Sequence, residues 1–137
     1  MADTLYGMIG TWKMTKSENF EDFLRELGVN LIARKMAGRS HPRQEISLNG
    51  DEITLKTITG FWDTETKFKI GEEFQQKSNG VQQKCLASWE GETLTLALTP
   101  IDGSIKSQKT TRKLVNGELH MVMTVGDVIC TRIFQKH

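Results

Sequence analysis

The sequence predicts an all-β protein, a ten-stranded antiparallel up-and-down β-barrel of clam form with a helix-turn-helix lid. Three observations carry that expectation. From Pro42 onward apolar and polar residues alternate with a period of two, the spacing that places side chains on one face of a strand. Turn signals interrupt the alternation every ~8–12 residues, at Asn49-Gly50-Asp51, Asn79-Gly80, Glu90-Gly91, Asp102-Gly103-Ser104, Asn116-Gly117 and Gly126-Asp127. Helical spacing is confined to about residues 17–38. A meander this long would expose two open edges, so closure into a barrel is expected. A closed barrel wider than eight strands encloses more space than its side chains fill, so a cavity is expected, with the helical hairpin over its mouth.

The elements follow in order. Leu5 to Thr15 reads as a strand, with Met8, Gly10, Trp12 and Met14 on one face. Ser17 reads as a helix N-cap, and Glu18, Glu21 and Asp22 suit the positive end of the helix dipole. Phe20, Phe23, Leu24 and Leu27 recur at helical spacing, and Gly28 takes the usual terminating position. Asn30 caps a second short helix with Val29, Ile32, Ala33 and Met36 as its apolar face, Arg34 and Lys35 opposite, and Gly38 as its stop. Strands then read at Arg43–Asn49, Glu52–Thr59, Glu65–Ile70, Glu73–Lys77, Val81–Trp89, Glu92–Thr99 and Ile105–Leu114. A final pair flanks Gly126-Asp127. In the last strand Val128, Cys130, Arg132 and Phe134 share one face. An inward Arg132 needs a partner, because a buried unpaired cation is costly.

Composition narrows the function. One domain spanning residues 1–137 is expected from the length. A net charge of +1 argues against a nucleic-acid binder held by bulk charge. No apolar run reaches the length of a membrane span, and no leader pattern opens the chain, so a cytoplasmic protein is expected. Cys85 and Cys130 read as free thiols in a reducing compartment. His41, His120 and His137 stand in no nucleophile context, and no metal-ligand spacing or phosphate-cradling loop is present. A binder without catalysis, metal or cofactor is expected.

Gly10-Thr11-Trp12-Lys13-Met14 followed by Ser17-Glu18-Asn19-Phe20-Glu21-Asp22-Phe23-Leu24 resembles the N-terminal signature of the intracellular lipid-binding proteins, which include the cytosolic fatty-acid-binding and retinoid-binding proteins. The likeness continues through Gly28-Val29-Asn30, Arg34-Lys35-Met36-Ala37, Gly71-Glu72-Glu73-Phe74 and Ser88-Trp89-Glu90-Gly91, and closes with Cys130-Thr131-Arg132-Ile133-Phe134. It implies a lipocalin-like barrel with an interior ligand site and a helical portal. In many members two arginines and a tyrosine on the last strands hold a ligand carboxylate. Arg112 and Arg132 match the arginines, and Phe134 stands where the tyrosine would be, with one hydroxyl donor fewer. Retinol-binding members carry glutamine in place of the arginines, so this pair favours an acid. Leu27–Asn30 and Val128–Ile133 are also similar to the cellular retinoic-acid-binding proteins.

The expected cargo is therefore a long-chain fatty acid or a similar hydrophobic carboxylate, carried by a monomer. A retinoic-acid carrier is the alternative, and a barrel working as a protein-interaction module is a third. Arg112 and Arg132 are the expected anchors, guanidinium being matched to carboxylate. Met8, Met14, Met121 and Met123 read equally as adaptable wall or ordinary core. The resemblance implies a portal near Phe20, Val29, Ala33 and Phe61, the last matching the family's portal phenylalanine. Phe61 and Trp62 form an apolar pair suited either to a membrane or partner or to packing under the lid. Arg25, Arg34, Lys35 and Arg39 make a basic lid face, suited to transient contact with anionic membranes or simply to solvent.

Overall fold

A computed structural model describes residues 2–60, 63–78, 80–103 and 105–137. Phe61 and Trp62 lie outside the described residues, as do Asn79 and Ser104 of two expected turns. Ten strands form a single antiparallel sheet: β1 (Gly10–Glu18), β2 (Arg43–Asn49), β3 (Glu52–Ile58), β4 (Thr64–Lys69), β5 (Phe74–Ser78), β6 (Val81–Glu90), β7 (Thr93–Pro100), β8 (Gln108–Val115), β9 (Glu118–Val125) and β10 (Val128–Lys136). Their order is β4-β3-β2-β1-β10-β9-β8-β7-β6-β5. First and last strands pair, Trp12 opposite Lys136, and this bends the meander into a nearly closed barrel. No ladder joins β4 to β5 among the described residues. There the Phe68 and Phe74 rings stack at 5.8 Å, and the Gly71 amide donates to the Ala87 carbonyl.

Alternation fixes which residues look inward. On β6, Gln83, Cys85 and Ala87 are buried while Gln82, Lys84 and Leu86 face out. On β10, Cys130, Arg132 and Phe134 are buried, as their shared parity requires. The β8–β9 turn takes positive φ at both Asn116 (52°) and Gly117 (81°), the two left-handed positions that make Asn-Gly a hairpin signal.

Three helices complete the chain: α1 (Ala2–Met8), α2 (Phe20–Glu26) and α3 (Leu31–Gly38). The strand expected from Leu5 is a correction: its first half is α1. Met8 shares strand parity with Gly10, Trp12 and Met14, but Leu5 and Met8 are three apart, a spacing that fits a helix face. Packing decides between them. Met8 is fully buried against Trp12, whose indole N–H donates to the Met8 carbonyl at 2.7 Å, while Tyr6 is left outside.

Ser17 is a second correction, because β1 runs through it to Glu18. Asn19 precedes α2 instead, in the left-handed conformation (φ 63°) that Asn tolerates, with no side-chain cap. Asn30 does cap α3, accepting from the Ala33 amide at 2.9 Å. Gly28, at φ 87°, follows α2 as expected, whereas Gly38 is the last residue of α3 and Arg39 its C-cap. The expected apolar face of α3 is covered only in part, at Val29 and Ala33. Ile32 is 74% exposed and Met36 52%, while Ala37 is the residue that packs. An eight-residue helix resting mainly on α2 has too little partner surface to cover that face. Finally, β8 starts at Gln108 rather than Ile105.

Candidate functional site

The site forms where β10, β9 and β8 lie side by side. Arg132 is opposite Met121, and Met121 opposite Arg112, so all three occupy one inward-facing row. Two strand spacings separate the arginine Cα atoms by about 10 Å. Both are buried, at 5% and 6% exposure. One row further, Phe134 is opposite both Leu119 and Met14 and fully buried. With Met8 and Trp12 these residues make an apolar floor beneath the arginines.

Each guanidinium has a neutral partner. Arg112 Nε donates to Gln44 Oε1 at 3.2 Å, and Gln44 Nε2 in turn donates to Thr57 Oγ1 at 3.0 Å. Arg132 Nε donates to Ser17 Oγ at 3.1 Å, and the guanidinium carbon sits 3.5 Å from the centroid of the Phe20 ring. Burial lowers both arginines well below the ordinary guanidinium range, to about 10, with the Cys130 thiol opposing this slightly at Arg132 and no carboxylate acting on either. They remain cations at neutral pH, with guanidinium N–H groups beyond Nε available to a further acceptor.

Ser17 reaches this row because of a bulge. The β1–β10 register slips between Met14 and Lys16. Before the slip Met14 faces Phe134; after it Ser17 faces Arg132. An unbroken strand would have put Lys16 on the inner face, since Met14 and Lys16 share parity. Thr15, the extra residue, donates its hydroxyl to the Ile133 carbonyl at 3.2 Å.

The lid closes over this wall. Phe20 and Phe23 stack at 6.5 Å, and Phe23, Leu24 and Leu27 pack with Ala37, Val125 and Cys130. Val29 lies against the same cluster, and Ala33 is half-buried on α3. Met123 touches both this cluster and the barrel core, so it is wall as well as core. Polar ties hold the lid: Asn19 to the Ile129 carbonyl (3.2 Å), Lys35 to Glu21 (3.0 Å), and Lys106 to Glu26. Burial pushes the Cys85 and Cys130 thiols up to about 11, so neither is a ready thiolate. Among the described residues no cluster of His, Cys, Asp or Glu could hold a metal, and no helix is long and apolar enough to cross a membrane.

The structure thus brings together Arg112, Arg132, Phe20 and Met123, with Phe134 one row below and Val29 and Ala33 in the lid. Sequence reasoning missed Gln44 and Ser17. Gln44 carried a signal, sharing strand parity with Ile46 and Leu48. Ser17 carried none, because the bulge that turns it inward has no residue signature.

Residues 9–137 match the family model described as lipocalin / cytosolic fatty-acid binding protein family. The chain is 43% identical to cellular retinoic acid-binding protein 1 of Pelodiscus sinensis, over 91% of this chain and 94% of that protein. It is 42% identical, with the same coverage, to human cellular retinoic acid-binding protein 2. Among solved structures, apo lipid binding protein 8 of Caenorhabditis elegans superposes with a TM-score of 0.93 at 34% identity, covering 96% of each chain. A REP1-NXSQ fatty acid transporter superposes at 0.88 and 34% identity, over 100% of this chain and 98% of that one.

Proposed function

Since this chain belongs to the lipocalin / cytosolic fatty-acid binding protein family, we propose that it is a non-enzymatic intracellular carrier of a long-chain fatty acid, with the carboxylate anchored at Arg112 and Arg132. The observation that carries the reading is the pair of buried guanidiniums whose side-chain hydrogen-bond partners, among the described residues, are neutral. A buried cation is tolerated when an anion joins it, and guanidinium fits a carboxylate. The apolar chain supplies the affinity. About 14 methylenes at ~0.8 kcal/mol each offer on the order of 11 kcal/mol gross. Association costs remove ~4 kcal/mol or more, which leaves micromolar to sub-micromolar binding once the head group is added. A neutral lipid would leave the arginines unsatisfied, so the anchors set which cargo is accepted.

Phe134 bears on the head group through its missing hydroxyl. It makes the floor apolar and leaves the carboxylate to the guanidiniums alone. Phe20, Val29, Ala33 and, by resemblance, Phe61 form the portal, and Met123 the adaptable wall. The uncovered side of α3 serves delivery. Leu31, Ile32 and Met36 are 56%, 74% and 52% exposed, beside Arg34, Lys35 and Arg39, a combination suited to brief contact with an anionic membrane. The carrier works as a cytoplasmic monomer without cofactor or nucleic acid.

One observation favours a second reading: the curated relatives cited above are named for retinoic acid binding. The same arginines would read that carboxylate. Displacement of a fluorescent fatty acid by oleate, oleyl alcohol, retinoic acid and retinol separates the two. Oleate displacing far better than its alcohol, with Arg132→Gln erasing most of the difference, is the expected result. Retinoic acid outcompeting oleate would move the assignment to the retinoid. Equal displacement by acid and alcohol would end the anchoring account.

A further inference from the structure

We propose that the barrel reads its cargo at a second point, through the side-chain amide of Gln83, and that the preferred cargo is a long-chain acid bearing a hydroxyl near its far end. The inference rests on the carrier reading and narrows it.

Gln83 faces inward on β6, on the same side as Cys85 and Ala87, with no solvent exposure. Both its amide nitrogen and its amide oxygen are buried without a hydrogen-bond partner among the described residues. Native proteins seldom leave buried polar side-chain atoms unpaired, and leaving one so costs about 1–3 kcal/mol. A second amide stands in the same part of the wall. Gln108 on β8 faces inward beside Leu98, itself opposite Cys85, and its Nε2 is likewise buried and unpartnered.

Strand register places these amides relative to the arginines. Arg112, Leu94 and Trp89 share one row across β8, β7 and β6. Gln108 lies four residues along β8 from Arg112, about 13 Å away, and Gln83 six residues along β6 from Trp89, about 20 Å, in the same direction. Both lie towards the lid, because Gln108 is opposite Val125, which packs with the lid residues Phe23 and Leu24. An acid held at Arg112 and extended towards the portal therefore brings its far end to the amides.

Their chemistry selects the group. An amide offers one acceptor and two donors. A hydroxyl both donates to Oε1 and accepts from Nε2. A keto oxygen uses only the donor, a methyl group neither, and a second carboxylate can accept from Nε2 but is repelled by Oε1. Ordered water at Gln83 is the competing account.

The test uses the intact protein and displacement of a fluorescent fatty acid by palmitate, ω-hydroxypalmitate, α-hydroxypalmitate and hexadecanedioate. The wild type should bind ω-hydroxypalmitate roughly five-fold more tightly than α-hydroxypalmitate. Gln83→Leu should abolish or reverse that order while palmitate binds at least as well; Gln83→Met serves if the leucine variant does not fold. An ω-hydroxyl that weakens or leaves unchanged the wild-type affinity would overturn the proposal, as would a preference that survives in both variants. Either result leaves the carrier reading standing provided palmitate binds saturably. If none of the four acids binds, the carrier reading falls and this one with it.

Discussion

Replacing Arg112 with methionine should move stability and affinity in opposite directions. Arg112 is 6% exposed, and burial lowers it well below the ordinary guanidinium range, to about 10. A shift of that size corresponds to about 3 kcal/mol of charge-burial cost. The unfolded chain holds this proton more tightly than the folded one. The cost is therefore present in full below about pH 10 and relieved only as pH rises above that. Methionine, of similar length and apolar, removes it. The substitution also strands Gln44 Oε1, which loses its donor at a cost of about 1–3 kcal/mol, while Gln44 Nε2 keeps Thr57. The lipid-free protein should thus end between unchanged and roughly 2 kcal/mol more stable at pH 7. Affinity for oleate should fall by about 10- to 100-fold, the worth of one charge-assisted contact, while oleyl alcohol holds or improves. Urea titration of delipidated protein, followed by tryptophan fluorescence, reads the first quantity; probe displacement reads the second. Loss of more than about 2 kcal/mol on substitution would make Arg112 a structural residue and refute the reasoning. So would equal losses for acid and alcohol.

Two further predictions concern the strand bulge and the lid. Deleting Thr15 removes the extra residue and joins the two registers directly, so Met14 stays opposite Phe134, Ser17 stays inward opposite Arg132, and Lys16 stays outward. Urea titration should therefore show a loss of no more than ~1 kcal/mol, comparable to that of Ser17→Ala, and a loss of ~3 kcal/mol or more, the mark of a lysine forced inward beside Arg132, would refute the parity argument. The Glu21 carboxyl is held below its ordinary 4.5, first through its hydrogen bond from Lys35 and then through the charges of Lys35, Arg25 and Arg34. A lowered acid stabilises the folded form above 4.5 and loses that effect as pH falls further. Cargo release in stopped-flow transfer should therefore quicken as pH drops below about 4.5, and Glu21→Gln should show quick release at pH 7 and a flatter profile.

The strands were legible because period-two alternation is a local property. Cys130, Arg132 and Phe134 declare a common face whatever the strand packs against, and Asn116-Gly117 declares its turn. What escaped depends on distant contacts. Leu5 and Met8 belong to a helix because Trp12 and the barrel floor select that form. Ile32 and Met36 look like a buried face until the size of the surface beneath α3 is known. Both arginines were visible as chemistry, yet their partners arrive from 68 and 115 residues away, and one of them only through a bulge.

The junction between β4 and β5 bears on what the container can hold. Nine ladders join the ten strands, and the tenth boundary is closed by the stacked rings of Phe68 and Phe74. A hoop made this way has one compliant joint. Outward pressure from a bulkier cargo works against that aromatic contact, worth about 1 kcal/mol, and the single Gly71–Ala87 backbone hydrogen bond beside it, before it breaks any strand ladder. Capacity is therefore elastic in one direction around the girth and stiff along the arginine-bearing strands on the far side. The wall that reads the head group keeps its spacing while the opposite seam gives.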